Sequence, residues 1–143
     1  MKIDKHNHLA DVNCIELPCD YAVNGDLIVI EGNTVIPFDI ARVFFVRAPE
    51  GALRGLHAHK ECSQFLICAT GHIEVRYDDG NATGVTLLNR PEIGMLVPPG
   101  IWAQQTFLAP TSVLMVLCDK LYDANDYIRD YAEFKIYRSS TFF

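Results

Sequence analysis

Two histidines stand one residue apart in Arg54-Gly55-Leu56-His57-Ala58-His59, between Gly51 and a strongly apolar run that ends at Gly71. On an extended strand, residues two apart share a face. His57 and His59 therefore aim both imidazoles at one spot, while Ala58 turns the other way and takes little room. Arg54 places a permanent positive charge just upstream. Imidazole titrates near neutrality and can both accept and donate a proton. A pair of imidazoles beside a fixed cation is therefore a candidate proton-transfer site.

The elements that must hold this site are short strands. Ala41–Arg47 reads as a strand with Arg42 and Phe44 on one face and Val43, Phe45 and Arg47 on the other. Gln64–Ala69 is a continuous apolar run of the kind that is buried on both faces. Thr70-Gly71 reads as a tight hairpin turn, and His72–Asp78 alternates strictly, with Ile73, Val75 and Tyr77 pointing inward. Asp79-Gly80 is a strong hairpin signal, and Thr83–Leu88 is the return strand. Met95–Val97 is stopped by Pro98-Pro99-Gly100, and Ile101–Thr106 and Ser112–Cys118 close the series. Upstream, Leu27–Glu31 is a β-branched strand between the turn signals Asn24-Gly25 and Gly32-Asn33. Residues 1–24 are weakly assigned, with Ile15–Leu17 a short strand limited by Pro18. Their His6 and His8 repeat the His-x-His spacing in a terminal position. Only the tail reads as helical, from an Asp123 cap through Arg129. Short strands separated by Gly, Pro, Asn and Asp, with almost no helix, predict an all-β sandwich or barrel.

Composition narrows the function. The chain has 143 residues, half of them apolar, and a formal net charge of -6. One domain over residues 1–143 is expected. The acidic balance excludes a general nucleic-acid binder, although local arginines can still hold a small anion. No apolar run approaches the length of a membrane span, and the polar N-terminus is not a secretory signal. The odd number of cysteines, five, without a CxxC pair, reads as reduced thiols in a cytoplasmic protein.

Gly51, His57, His59 and Gly71 together resemble the first motif of the cupin family, and Gly94, Pro98 and Gly100 resemble a degenerate second motif. Gln64 stands where the cupins carry an acidic residue, and Ala103 where they carry a third histidine. Catalytic zinc normally takes three protein ligands, and this set has lost half of its donors. His72 and Glu74 are read as a solvated outer face rather than replacements. No metal and no other cofactor is expected.

A closer resemblance covers about residues 25–135. Arg54–Lys60, Gln64–Leu66, Asp78–Gly80, Val97–Trp102 and Leu121–Tyr131 are similar to the cupin-type sugar 3,4-ketoisomerases. That resemblance implies a jelly-roll barrel with a short C-terminal helical segment, a strand-exchanged homodimer, and metal-independent action on dTDP-4-keto-6-deoxy-D-glucose in 3-amino-sugar biosynthesis. Moving a carbonyl from C4 to C3 needs a proton to leave C3, an enediol or enediolate to form, and a proton to arrive at C4. On this reading His57 is the base and His59 its acid/base partner or a substrate orienter, with the reverse assignment open. Arg42 and Arg54 would hold the diphosphate or the enediolate. Gln64 would bond a sugar hydroxyl or an imidazole, or else only backbone. Trp102 would wall the sugar or stack on thymine, or else belong to the core. Tyr122, Tyr127 and Tyr131 are read as packing for the C-terminal segment. The rival readings are a nucleotide-sugar 3,5-epimerase, a non-catalytic sugar-nucleotide-binding cupin, and, third, a metal-dependent oxygenase.

Overall fold

Apolar runs punctuated by turn residues fold into twelve strands and one α-helix among residues 7–139, which the computed structural model describes. The strands are β1 (Asn13–Glu16), β2 (Cys19–Ala22), β3 (Gly25–Ile28), β4 (Arg42–Arg47), β5 (Leu53–His59) and β6 (Gln64–Thr70). They continue as β7 (Ile73–Asp78), β8 (Thr83–Leu88), β9 (Ile93–Val97), β10 (Trp102–Phe107), β11 (Val113–Cys118) and β12 (Tyr127–Ile128), and helix α1 spans Tyr131–Ser139. One five-stranded sheet has the order β1-β9-β6-β11-β4 and the other β12-β5-β10-β7-β8, with β2 and β3 as a separate hairpin. All the strand pairs are antiparallel. This is the jelly roll that the sequence led us to expect. His6 lies outside the described residues, and no helix among them is long and apolar enough to cross a membrane.

The inner faces of the two sheets meet over Leu66, Cys68, Ile73, Val75, Met95, Phe107, Leu114 and Val116. Strand β6 is central, and its outer face is covered as well, by Leu17, Ile36 and Phe38 against Phe65 and Ile67. Burial on both faces is why its sequence is unbroken apolar rather than alternating. Strand β4 sits at a sheet edge and does alternate: Arg42, Phe44 and Val46 face in, and Val43, Phe45 and Arg47 face out. A Cβ at Gly94 would run into the Phe65 ring, which is fully buried and has nowhere to retreat. Gly94→Ala is expected to destabilise the fold by about 1–3 kcal/mol, read as a lower urea midpoint with an unchanged slope.

Three expectations need correction. Thr70-Gly71 is not a hairpin: β6 and β7 belong to different sheets. Gly71, at φ +88°, sends the chain across the sandwich, and a Cβ there would strike Ser112. Ser112 secures the crossover, since its hydroxyl accepts the His72 N–H and donates to the His72 carbonyl. The strand expected over Leu27–Glu31 ends at Ile28, because it forms the return of a hairpin with β2, a strand that the weak N-terminal pattern did not reveal. Finally, Asp123 does cap a turn, accepting the Asn125 N–H, but that turn is a single 3-10 turn over Ala124–Asp126. The chain then extends as β12 along the edge of β5, and the α-helix begins only at Tyr131. Edge pairing wins here because Tyr127, Ile128 and Arg129 already alternate, with Ile128 buried under α1 against Ala58, Trp102 and Phe134.

Candidate active site

A bulge decides which way β5 presents its side chains. Arg54 stands opposite Gln105 and His57 opposite Ala103, while Gly55 stands opposite Gln104, so Leu56 is the extra residue. Gly55 at φ +82° and Leu56 at φ +62° carry the bulge in left-handed conformations, which cost a leucine far more than a glycine. Residues three apart normally face opposite sides of a sheet. The inserted residue restores the parity, and Arg54 and His57 both follow inward-facing partners. Beyond the bulge the strand is regular. His59 shares the His57 face, and Ala58, fully buried, packs on the other side against Trp102, Ile128 and Phe134.

The inner face opens as a cavity of about 410 Å³. His57, Arg54 and Gln105 line it from one sheet, Gln64 from the other, and Tyr127 and Arg129 from the C-terminal segment. Among the described residues no carboxylate lines it, so a chain of net charge -6 keeps a cationic pocket. The rings of His57 and His59 are 5.0 Å apart and edge-on. Tyr127 closes the triangle, 5.0 Å from His57 and 4.3 Å from His59. The Arg129 guanidinium lies over the Tyr127 ring at 4.3 Å.

His59 is held from behind. Its Nδ1 lies 2.8 Å from Asp126 Oδ2. A carboxylate only accepts, so this bond places the imidazole proton on Nδ1 and leaves Nε2 as the basic nitrogen. That Nε2 is buried and has no hydrogen-bond partner among the described residues, and the same is true of His57 Nδ1. Asp126 is itself fixed, because its Oδ1 accepts the Glu61 N–H at 2.7 Å and its carbonyl accepts the Lys60 N–H at 2.9 Å. Burial, reinforced by the charge of His59 and then of Arg129 against a backbone hydrogen bond at Gly55, pulls the His57 pKa from 6.5 down to about 4. Burial also lowers that of His59, with Asp126 opposing the shift. Both rings are therefore neutral at neutral pH and ready to accept a proton.

Behind Tyr127 a polar row crosses three strands. In register, Arg42, Cys118 and Gln64 stand side by side on β4, β11 and β6. Arg42 Nη2 donates to Cys118 Sγ at 3.5 Å and to the Tyr127 hydroxyl at 3.4 Å. Gln64 Nε2 donates to the same sulfur at 3.5 Å. With Cys62 donating as well, the Cys118 thiol is drawn down to about 6, while the Cys62 thiol is pushed up.

The structure thus brings His57, His59, Arg54 and Gln64 together. Arg42 lies one layer back, behind Tyr127. Trp102 is not in the cavity: it faces the outside of the sheet, edge-on to Tyr131 at 5.3 Å and beside Phe134. Tyr122 and Tyr131 pack as read, Tyr122 on Tyr127, but Tyr127 lines the cavity itself. Asp126, Arg129 and Gln105 were not singled out from sequence. Gln105 was in reach of it, because it alternates with Ala103 along β10.

Comparison with known proteins agrees with this geometry. The family profile described as FdtA: WxcM-like, C-terminal, matches residues 10–139. A TDP-4-oxo-6-deoxy-alpha-D-glucose-3,4-oxoisomerase of Aneurinibacillus thermoaerophilus is 41% identical over 114 residues, 79% of this chain and 82% of that protein. The crystal structure of QdtA, a sugar 3,4-ketoisomerase of Thermoanaerobacterium thermosaccharolyticum in complex with TDP, aligns with a TM-score of 0.88 at 32% identity, over 92% of this chain and 97% of that one. A histidine-to-asparagine variant of the same protein is described in complex with TDP-4-keto-6-deoxyglucose. The 3'-monoepimerase ChmJ of Streptomyces bikiniensis shares the fold alone, at 16% identity and a TM-score of 0.74 over 82% of this chain and 68% of that one.

Proposed function

The chain belongs to the FdtA family, and from that premise we propose that it is a sugar-nucleotide 3,4-ketoisomerase acting on dTDP-4-keto-6-deoxy-D-glucose. The observation that carries the reading is neutral His57 on the wall of an arginine-lined cavity, with neutral His59 directly behind it, ring to ring at 5.0 Å. His57, the imidazole that lines the cavity, takes the proton from C3. The C3–H electrons form a C3=C4 bond, and the former C4 carbonyl oxygen carries the charge of the enediolate. Protonation at C4, with loss of the O3 proton, then leaves the ketone at C3.

The O3 and O4 protons need a second group. His59, with Nδ1 anchored on Asp126 and Nε2 without a partner among the described residues, is one. The Tyr127 hydroxyl, held by Arg42, is the other. Arg54 and Arg129 suit the diphosphate or the enediolate, because guanidinium matches both by charge and by fork geometry. Gln64 and Gln105 suit sugar hydroxyls. The route uses no metal and no redox cofactor.

The 3,5-epimerase reading shares the first step but keeps the ketone at C4. It is the weaker one, since the epimerase resembles this chain in fold only. We further infer one catalytic domain, working in the cytoplasm as a homodimer. The free cysteines support that location. The dimer is supported by Phe45, 63% exposed on edge strand β4, and by Tyr21 and Leu27, exposed on the β2–β3 hairpin. The test is incubation with the 4-keto substrate in deuterium oxide, followed by NMR. The expected result is deuterium at the ring position that receives the proton and a new 3-keto product. Deuterium exchange with the carbonyl still at C4 would select the epimerase, and the absence of both exchange and a 3-keto product would refute both.

A further inference from the structure

We propose that the side of His59 turned away from the cavity is a binding site for a zinc-type cation, formed by His59 Nδ1, Cys62 Sγ and the Asp126 carboxylate. The three donor atoms lie within 4.8 Å of one another. Tetrahedral zinc holds nitrogen, sulfur and oxygen donors about 2.0–2.3 Å from the ion and so roughly 3.3–3.8 Å from one another; entry of the cation therefore replaces the 2.8 Å His59–Asp126 hydrogen bond and opens that pair slightly. The His59 and Cys62 side chains are buried, and Asp126 is partly so.

The backbone fixes the cage. His59 ends β5, Cys62 follows in the next loop, and the Lys60 and Glu61 N–H groups clamp Asp126 between them. Cys118, in hydrogen-bonding contact with Cys62, puts a second thiol next to the first. A donor set of imidazole, thiol and carboxylate selects zinc and its neighbours over magnesium or calcium, which take oxygen. A divalent cation also balances what it meets: one thiolate and one carboxylate.

Binding has a defined proton balance. Cys62 gives up its thiol proton to solvent. The imidazole of His59 keeps one proton, which must leave Nδ1 for the metal and reside on Nε2. An Nε2–H cannot accept a proton, so the cation switches off His59 without entering the cavity. This consequence, though not the site, rests on the role given to His59 above.

Cobalt(II) reports the site directly. The reduced, chelator-treated full chain is expected to bind one cobalt per chain with a sulfur-to-cobalt charge-transfer band, bleached when zinc displaces it. Cys62→Ser is expected to lack the band. Zinc should stop ketoisomerisation in the parent protein, while Cys62→Ser, equally active without metal, should tolerate roughly a hundredfold more zinc, at the upper end of what losing even a ligand's hydrogen-bonding partner costs in affinity. No band in the parent protein, or an unchanged band in Cys62→Ser, overturns the proposal. A band that forms while zinc leaves turnover intact supports the site and instead removes His59 from the catalytic scheme.

Discussion

His57→Asn is expected to lower kcat by about 10²–10⁴-fold, the contribution of a positioned general base, and to abolish deuterium incorporation into the sugar. Binding of TDP should be unchanged. The reason lies in the charge state. Burial holds His57 neutral at neutral pH, so replacing it with a neutral amide leaves the electrostatics of the cavity as they were. Arg54 and Arg129 still face the same space. The Asn side chain is shorter, but Ala103, its cross-strand neighbour, is small and the cavity already lies beyond it. The measurement is a paired one, turnover by NMR and TDP affinity by calorimetry. Loss of both together would mean that His57 is part of the binding wall and not the base. Retention of exchange would pass the role of base to His59.

The proton-transfer pair was legible in sequence because it depends on period two alone. His57 and His59 share a face on any extended strand, and Ala58 is small because α1 covers it. The same rule could have placed Trp102. Ala103 occupies an inward position, as its alignment with a cupin ligand implied, so the residue before it must point out. It does, onto Tyr131 and Phe134. The hairpin at Asp79-Gly80 was legible too, since its turn chemistry is local.

What stayed hidden was non-local. Nothing near Thr70-Gly71 says that the next strand joins the other sheet; that turn is secured from some forty residues on, by the Ser112 hydroxyl and by the Leu108 N–H, which donates to the His72 carbonyl. The three-residue alternation of Tyr127, Ile128 and Arg129 is too short to compete with an Asp-capped helix pattern until the free edge of β5 is known. That one pairing brings Asp126, Tyr127 and Arg129 to the histidines together, which is why sequence alone passes over Asp126 and Arg129 and gives Tyr127 only a packing role. The bulge at Leu56 was equally silent, because a leucine with positive φ has no local signature.

Asp126→Asn gives the second large effect, and its sign follows from one backbone bond. Asp126 accepts two donors, the His59 Nδ1–H on Oδ2 and the Glu61 N–H on Oδ1. Asparagine has one oxygen and one NH₂. The Glu61 N–H belongs to the main chain and cannot become an acceptor, so it claims the amide oxygen. The NH₂ must then face His59 Nδ1, which has to accept, and the imidazole proton moves to Nε2. The basic nitrogen disappears while every heavy atom stays in place. A wrong tautomer of this kind is as damaging as loss of the base, so kcat should fall by about 10²–10⁴-fold with KM unchanged. Asp126→Ala removes the partner without imposing the wrong tautomer and should lose less activity than Asp126→Asn, although it deletes more atoms. Nitrogen-15 NMR of the imidazoles reads the tautomer directly, with the proton on Nδ1 in the parent protein and on Nε2 in Asp126→Asn. A purely structural Asp126 predicts the opposite order, alanine worse than asparagine and no change of tautomer, so the ranking of two substitutions at one position decides whether this carboxylate steers the proton.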